Sequence, residues 1–122
     1  MNAFLGGAQS PLVSLLIPVY NRETLIGPCI ESALAQTVDD LEIIVSDNAS
    51  TDATWETCQK YAARDSRVRI FRNCENIGPV HNWARCLAHA RGRLGKFLFS
   101  DDQIYPHYLE RTLSYMNDPR IG

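Results

Sequence analysis

The sequence has 122 residues and a mass of 13.7 kDa, which is enough for one small domain. Hydrophobic residues make up 45% of it and charged residues 21%, so the composition is that of a globular protein rather than a disordered one. The net charge of −2 argues against a protein that binds nucleic acid through a basic surface. No apolar run is long enough to cross a bilayer.

The beginning of the chain and its cysteines indicate the compartment. Residues 1–11 lack hydrophobic periodicity, so we predict a disordered tail there and a folded part over 12–122. The tail has neither the basic region nor the apolar core of a signal peptide. The cysteines form no C-x-x-C pair, which favours free thiols in a reducing, cytoplasmic compartment over a metal site. They are Cys29, Cys58, Cys74 and Cys86.

Four short apolar runs predict β-strands. Each run is rich in Val, Ile, Leu and Phe and is nearly continuous rather than alternating, which is typical of strands covered on both faces. The runs are 13–20, 41–46, 67–71 and 96–100.

A segment with helical spacing follows each predicted strand. The third of these is the clearest, because it begins at Pro79, which suits a first helical turn, and Gly92 is expected to end it. Its apolar stripe is expected to face the core. That stripe consists of Val80, Trp83, Ala84, Leu87 and Ala88.

The order of elements is therefore β-α-β-α-β-α-β-α. This alternation predicts an α/β fold with a mostly parallel open sheet and helices on both faces. In open sheets of this kind, ligands bind at the carboxyl ends of the strands. The residues just after each apolar run are therefore the candidates for a site.

Acidic and amide side chains collect at those strand ends. Asp101 and Asp102 follow the fourth run, and two adjacent carboxylates beside other oxygen ligands can hold Mg²⁺ or Mn²⁺. A nucleoside diphosphate would supply the partner anion. No G-x-G-x-x-G or Walker sequence follows the first strand, so a dinucleotide dehydrogenase and a P-loop NTPase are both disfavoured.

These residues also have structural interpretations. Asp47 can cap a turn, and Gly78 can shape one by taking a positive φ. Two adjacent acids on a loop often form only a solvated turn. A small flavodoxin-like module that binds Mg²⁺ for signalling or interaction is the alternative function, and phosphorylation of Asp47 would favour it. Tyr20 and Asn21 weaken it, because they stand where such modules have an acidic pair.

Four segments, in their order and spacing, resemble the family 2 glycosyltransferases. These are inverting nucleotide-sugar enzymes with the GT-A fold, so the resemblance implies the Rossmann-like, nucleotide-binding half of that fold. It also implies a sugar donor, with a UDP-sugar as the expected one. The segments are SLLIPVYNRE (14–23), QTVDDLEIIVSDNASTDAT (36–54), RVRIFRNCENIGPVHNWARCLAHARG (67–92) and KFLFSDDQIYPHYLER (96–111).

The resemblance implies contacts with the nucleotide at three places. Asp47 matches an acidic residue that hydrogen-bonds the pyrimidine, and Arg72 is a less secure candidate near the base. Asn76 and Gly78 match a segment that lies against the nucleotide. The loop that wraps the base and ribose corresponds to Pro18, Val19, Tyr20 and Asn21.

The resemblance also implies a metal site. Asp101 and Asp102 fall at the family's D-x-D position, where Asp102 is the expected ligand of Mn²⁺ or Mg²⁺. Asp101 is expected to support it and to contact the nucleotide. Ser100 stands where that motif has its first carboxylate, which is a departure from the family pattern.

The family further implies an acceptor-binding half that carries the general base. None of the carboxylates here fits that position, so we expect a fragment truncated at its C-terminus, with no catalytic residue of its own. The full-length protein would transfer the sugar, with inversion, to a carbohydrate or lipid-linked acceptor, at the inner face of the membrane for the latter. An open sheet edge would favour a homodimer.

Overall fold

The computed structural model of the protein describes residues 10–116. Within them, four strands and four helices alternate as predicted. The predicted tail falls mainly on residues 1–9, outside the described part. The elements are β1 (Val13–Val19), α1 (Ile26–Leu34), β2 (Leu41–Asp47), α2 (Thr54–Arg64), β3 (Val68–Arg72), α3 (Pro79–Ala88), β4 (Leu94–Phe97) and α4 (Tyr108–Met116).

The four strands form one parallel sheet in the order β3-β2-β1-β4, which confirms the predicted topology. The register aligns Val19 with Asp47, and Asp47 with Arg72, at the ends of their strands. The loops that follow β1, β2 and β3 therefore all begin at the same end of the sheet, where the carboxyl ends of these strands lie side by side. Among residues 10–116, no helix combines the length and apolar character needed to cross a membrane.

The larger hydrophobic core lies on one face of the sheet. Ile26 and Ile30 of α1, Cys58 of α2 and Leu109 of α4 are all fully buried there. Each aliphatic side chain buried in this way contributes about 1.5–3 kcal/mol to folding. The strand residues that they meet include Val13, Leu15, Ile17, Ile43 and Val45.

The opposite face carries α3, so helices cover both faces as predicted. Its core is small, because Leu16, Ile44 and Cys86 are the only residues buried in it within the described range 10–116. Hydrogen bonds between α3 and β2 also hold the helix on the sheet. Ser46 Oγ donates to Asn82 Oδ1 at 2.8 Å, and Asn82 Nδ2 donates to the Ser46 carbonyl at 3.0 Å.

The prediction that the apolar stripe of α3 faces the core is wrong. Val80 is 65% exposed, Trp83 39% and Leu87 42%, whereas the side that meets the sheet presents Asn82 and Cys86. The stripe lies on the opposite side of the helix because the paired hydrogen bonds with Ser46 fix which side meets the sheet.

The predicted homodimer stays a prediction.

Gly92 does not end α3 as predicted, because the helix already ends at Ala88. A β-carbon on Gly92 would lie 2.5 Å from Ser14 Oγ and 2.6 Å from Ser14 N. The Gly92 N–H donates to the same Ser14 Oγ at 2.8 Å. A glycine is therefore required because the backbone passes directly against β1.

The fourth strand also differs from the predicted run 96–100, since β4 spans Leu94–Phe97.

Candidate functional site

A cavity of about 670 Å³ lies at the carboxyl ends of β1 and β2, beside the start of α3. Six of the nine predicted site residues line it, and they come from the carboxyl end of β1 with the residue after it, from the segment before α3 and from the loop after β4. The structure thus brings together most of the residues that the resemblance to family 2 glycosyltransferases implies for the site. The six are Pro18, Val19, Tyr20, Asn76, Asp101 and Asp102.

Asn21, one of the three that do not line the cavity, joins two loops. Its backbone N–H donates to Ser50 Oγ at 2.9 Å, and its Oδ1 accepts from the Thr51 N–H at 2.8 Å. Its φ of 49° lies in the left-handed region, which asparagine tolerates better than most residues. In this structure Asn21 therefore fixes the loop after β1 to the loop after β2.

Asp47 is fully buried and does not line the cavity. Its Oδ1 accepts hydrogen bonds from the Ser50 N–H and Oγ–H. Burial raises the pKa of Asp47, and the Ser50 hydrogen bonds and the Arg72 charge only partly oppose it. Asp47 thus organises the loop after β2, and its contact with a pyrimidine stays a prediction.

Gly78 also lies outside the lining, at the start of α3. Its φ of 82° favours glycine, and it is the residue that immediately precedes the helix. Its N–H donates to Asn76 Oδ1 at 2.8 Å, and its carbonyl accepts from Asn48. Gly78 therefore sets the path of the segment that presents Asn76 to the cavity.

Asp101 and Asp102 are exposed at the cavity, on the loop after β4. Within residues 10–116, no group of three His, Cys, Asp or Glu side chains is placed to hold a metal. Two carboxylates are nevertheless sufficient for Mg²⁺, which is commonly held by one or two carboxylates together with substrate phosphates and water. The residues present therefore fit a cation that is shared with a bound diphosphate.

Sequence reasoning missed several residues that line the cavity. Trp83 and Phe99 form an aromatic wall, with ring centroids 5.5 Å apart and planes tilted by 58°. Trp83 was assigned to the core by its helical stripe. Asn48 and Asn82 also line the cavity. Asn48 could have been found, because it directly follows Asp47 at the end of a strand, where successive side chains point to opposite faces.

A family model described as glycosyl transferase family 2 matches residues 14–122. The chain belongs to this family. Membership and the parallel sheet confirm the predicted family and its nucleotide-binding fold.

The family 2 chain is 39% identical over 111 residues to the putative glycosyltransferase EpsH of Bacillus subtilis (strain 168). That match covers 90% of this chain and 32% of EpsH. The chain thus spans about a third of the length of this curated relative.

Solved structures share the fold. S. aureus TarS 1-349 in complex with UDP matches with a TM-score of 0.80 and 27% identity, over 87% of this chain and 32% of that one. The mannosyltransferase PcManGT from Pyrobaculum calidifontis, in complex with GDP-Man and Mn²⁺, matches with a TM-score of 0.79 and 25% identity, over 97% of this chain and 36% of that one.

Proposed function

We propose that this chain is the donor-binding part of an inverting glycosyltransferase and that it holds a UDP-sugar in the cavity at the strand ends. One observation carries the proposal: a single cavity joins Tyr20 and Asn76 with the carboxylates of Asp101 and Asp102. An exposed aromatic ring and an amide are suited to a base and ribose, and two carboxylates are suited to a cation that holds a diphosphate. The likeness to a UDP-bound structure supports uridine as the base.

Asp102, supported by Asp101, is the residue that we propose to hold Mn²⁺ or Mg²⁺. When bound, the cation would act as a Lewis acid that stabilises the departing diphosphate. The chain has a net charge of −2, and Arg22 is the one basic side chain among the described residues that line the cavity, so the diphosphate needs further positive charge. The carboxylates therefore bind the nucleotide indirectly, through the cation.

The remaining chemistry belongs to the acceptor. Inverting transfer to a hydroxyl requires a general base. Because Asp101 and Asp102 are assigned to the cation, we place that base outside residues 10–116. We propose a carbohydrate or lipid-linked acceptor, and a cytoplasmic location at the inner face of the membrane for the latter.

The structure disfavours the flavodoxin-like signalling alternative. Phosphorylation of Asp47 would require a carboxylate that a phosphodonor can reach. Asp47 is 0% exposed, and its Oδ1 is already engaged by Ser50. Family membership points in the same direction.

Calorimetric titration of the 122-residue chain with UDP, with and without Mn²⁺, tests the proposal. We expect binding heat that depends on the metal. Asp102→Asn keeps the shape of the side chain but weakens the charge–cation contact, so we expect metal-dependent affinity to fall at least about tenfold.

Asp40→Asn is the matched control. Asp40 is an exposed acid that directly precedes β2, at the opposite end of the sheet from the cavity. The Asp40→Asn substitution removes the same charge from the chain and should leave UDP affinity within about twofold of wild type. Binding without metal, or equal affinities in the two variants, would contradict the proposal.

A further inference from the structure

A buried asparagine connects the cavity to the segment that forms one of its walls. Asn48 is only 2% exposed, and both polar atoms of its side chain form hydrogen bonds within the protein. Nδ2 donates to Asn76 Oδ1 at 3.0 Å and to the Gly78 carbonyl at 3.3 Å. Oδ1 accepts from the Ile77 N–H at 2.9 Å and from Asn73 Nδ2 at 3.0 Å.

The same asparagine is linked to the sheet and to α3. Asn73 Nδ2 donates to Asn82 Oδ1 at 2.9 Å as well as to Asn48, and Asn82 is paired with Ser46 of β2. Asn73, Asn82 and Ser46 are all buried. The segment 73–78, which contains no helix or strand, is therefore held by side-chain amides rather than by a backbone ladder.

This position requires a side chain that donates and accepts at the same time. An amide provides two N–H donors and a carbonyl acceptor, whereas a carboxylate cannot donate and an aliphatic group does neither. Loss of Asn48 would leave the Ile77 N–H and the Gly78 carbonyl without these partners. Such losses in a buried network weaken the fixed geometry of the groups it holds.

We infer that Asn48 is a positioning residue, which holds residues 76–78 in the conformation that presents Asn76 to a bound nucleoside diphosphate. The inference rests on the proposed function, because it assigns the cavity to that ligand. A segment that is already ordered loses less conformational freedom when the ligand binds, so affinity is higher. Nucleotide affinity should therefore depend on Asn48 beyond its effect on fold stability.

Two variants separate positioning from direct contact with the ligand. Asn48→Leu keeps the branched shape and the number of heavy atoms of the side chain, adds no charge and removes all four hydrogen bonds. Asn73→Ala removes a partner of Asn48 at a residue that does not line the cavity, so its effect cannot come from a lost ligand contact.

Gln36→Met is the matched control. Gln36 is also a buried amide, 3% exposed, and it lies outside the cavity lining. Its Nε2 donates to the Ser32 carbonyl at 3.1 Å and to the Tyr105 carbonyl at 2.8 Å, and its Oε1 accepts from the Leu109 N–H at 3.0 Å. Its replacement should destabilise the fold in a similar way without touching segment 73–78.

The measurements are UDP affinity with Mn²⁺, the thermal midpoint, and hydrogen exchange of the Ile77 amide, all under conditions where each variant is folded. We expect Asn48→Leu and Asn73→Ala to weaken UDP binding and to speed Ile77 exchange, each by about tenfold. Gln36→Met should lower the thermal midpoint and leave affinity and Ile77 exchange at wild-type values.

Wild-type Ile77 exchange in Asn48→Leu would overturn the inference. Affinity losses no larger than that of Gln36→Met would overturn it as well. Should Asn48→Leu fail to fold, Asn73→Ala decides by the same two readouts. Absence of UDP binding in the wild type would instead contradict the proposed function, and with it the role of Asn48 in nucleotide affinity. Ile77 exchange would still decide whether the network holds segment 73–78.

Discussion

Arg72 Nε lies 3.5 Å from Asp47 Oδ2, where β3 and β2 end side by side. The contact is an ion pair without hydrogen-bond geometry, and Asp47 Oδ2 has no hydrogen-bond donor among the described residues. The other oxygen of Asp47 is bonded by Ser50, whose carbonyl accepts from Arg72 Nη2 at 2.9 Å. The negative charge of this fully buried carboxylate is therefore only partly compensated by the Ser50 hydrogen bonds and the Arg72 charge.

The first prediction concerns the charge of Asp47. Burial raises the pKa of this carboxyl above its ordinary value, so the folded state binds the proton more tightly than the unfolded state does. The stability of wild type relative to Asp47→Asn should therefore rise as pH falls from about 7 to about 4. Urea unfolding of both proteins across that range measures it, and a constant difference would contradict it.

The second prediction concerns Glu42, a buried carboxylate with the opposite shift. Burial disfavours its charge, but hydrogen bonds from Ser14, the Arg91 backbone and Arg69 outweigh this and lower its pKa below the ordinary value of a glutamate. Ser14 Oγ and the Arg91 N–H each donate to Oε2 at 2.6 Å. Glu42→Gln should cost about 1–3 kcal/mol at neutral pH.

The pH dependence of that cost has a definite sign. A lowered folded pKa stabilises the fold above the unfolded pKa, and the stabilisation is lost as pH falls through the folded value. The difference between wild type and Glu42→Gln should thus shrink below about pH 4.5. An unchanged difference in denaturant unfolding at low pH would show that the ionised form of Glu42 does not stabilise the fold.

The third prediction concerns thiol reactivity. Cys74 is exposed, whereas the other three cysteines are buried and free, and burial raises the pKa of each of these to about 12. Because the thiolate is the reactive form, a maleimide reagent should label one thiol rapidly in the native chain and four after unfolding. Mass spectrometry counts the adducts. Rapid native labelling of Cys29, Cys58 or Cys86 would contradict the packing.

The fourth prediction compares two glycines that have different constraints. Gly92→Ala would press a methyl group onto Ser14, so we expect a loss of about 1–3 kcal/mol. A β-carbon on Gly78 would meet no atom within 4 Å, so Gly78→Ala should cost only the strain of its backbone, whose φ of 82° and ψ of 160° are essentially restricted to glycine, about 1–3 kcal/mol. Thermal unfolding measures both. Normal stability in Gly92→Ala would show that the backbone can move away from β1.

The parallel sheet could be predicted because its signals are local. Continuous apolar runs alternate with helical spacing, and parallel strands bring the residues that follow them to one edge. That rule points to the segments that hold Asn76 and Asp102, and the resemblance to family 2 glycosyltransferases selects these two residues and Tyr20.

The orientation of α3 could not be predicted, because periodicity shows which residues share a face and not which face meets the sheet. Polar pairing with Ser46 determines the orientation and leaves Trp83 at the cavity wall. The strand-end position of Asn48 is visible in the sequence, but its positioning role could not be predicted, for a related reason. Its role depends on partners that lie 25 to 30 residues away in the sequence, and no local pattern indicates them.

A crystal structure of the chain with UDP and Mn²⁺ tests the central claim most directly. We predict an anomalous Mn²⁺ peak at Asp102, with a carboxylate oxygen of that residue and the diphosphate bound to the same ion. The uracil and ribose should lie between Tyr20 and Asn76. A nucleotide bound elsewhere, or an ion bound away from Asp101 and Asp102, would contradict the proposed donor site.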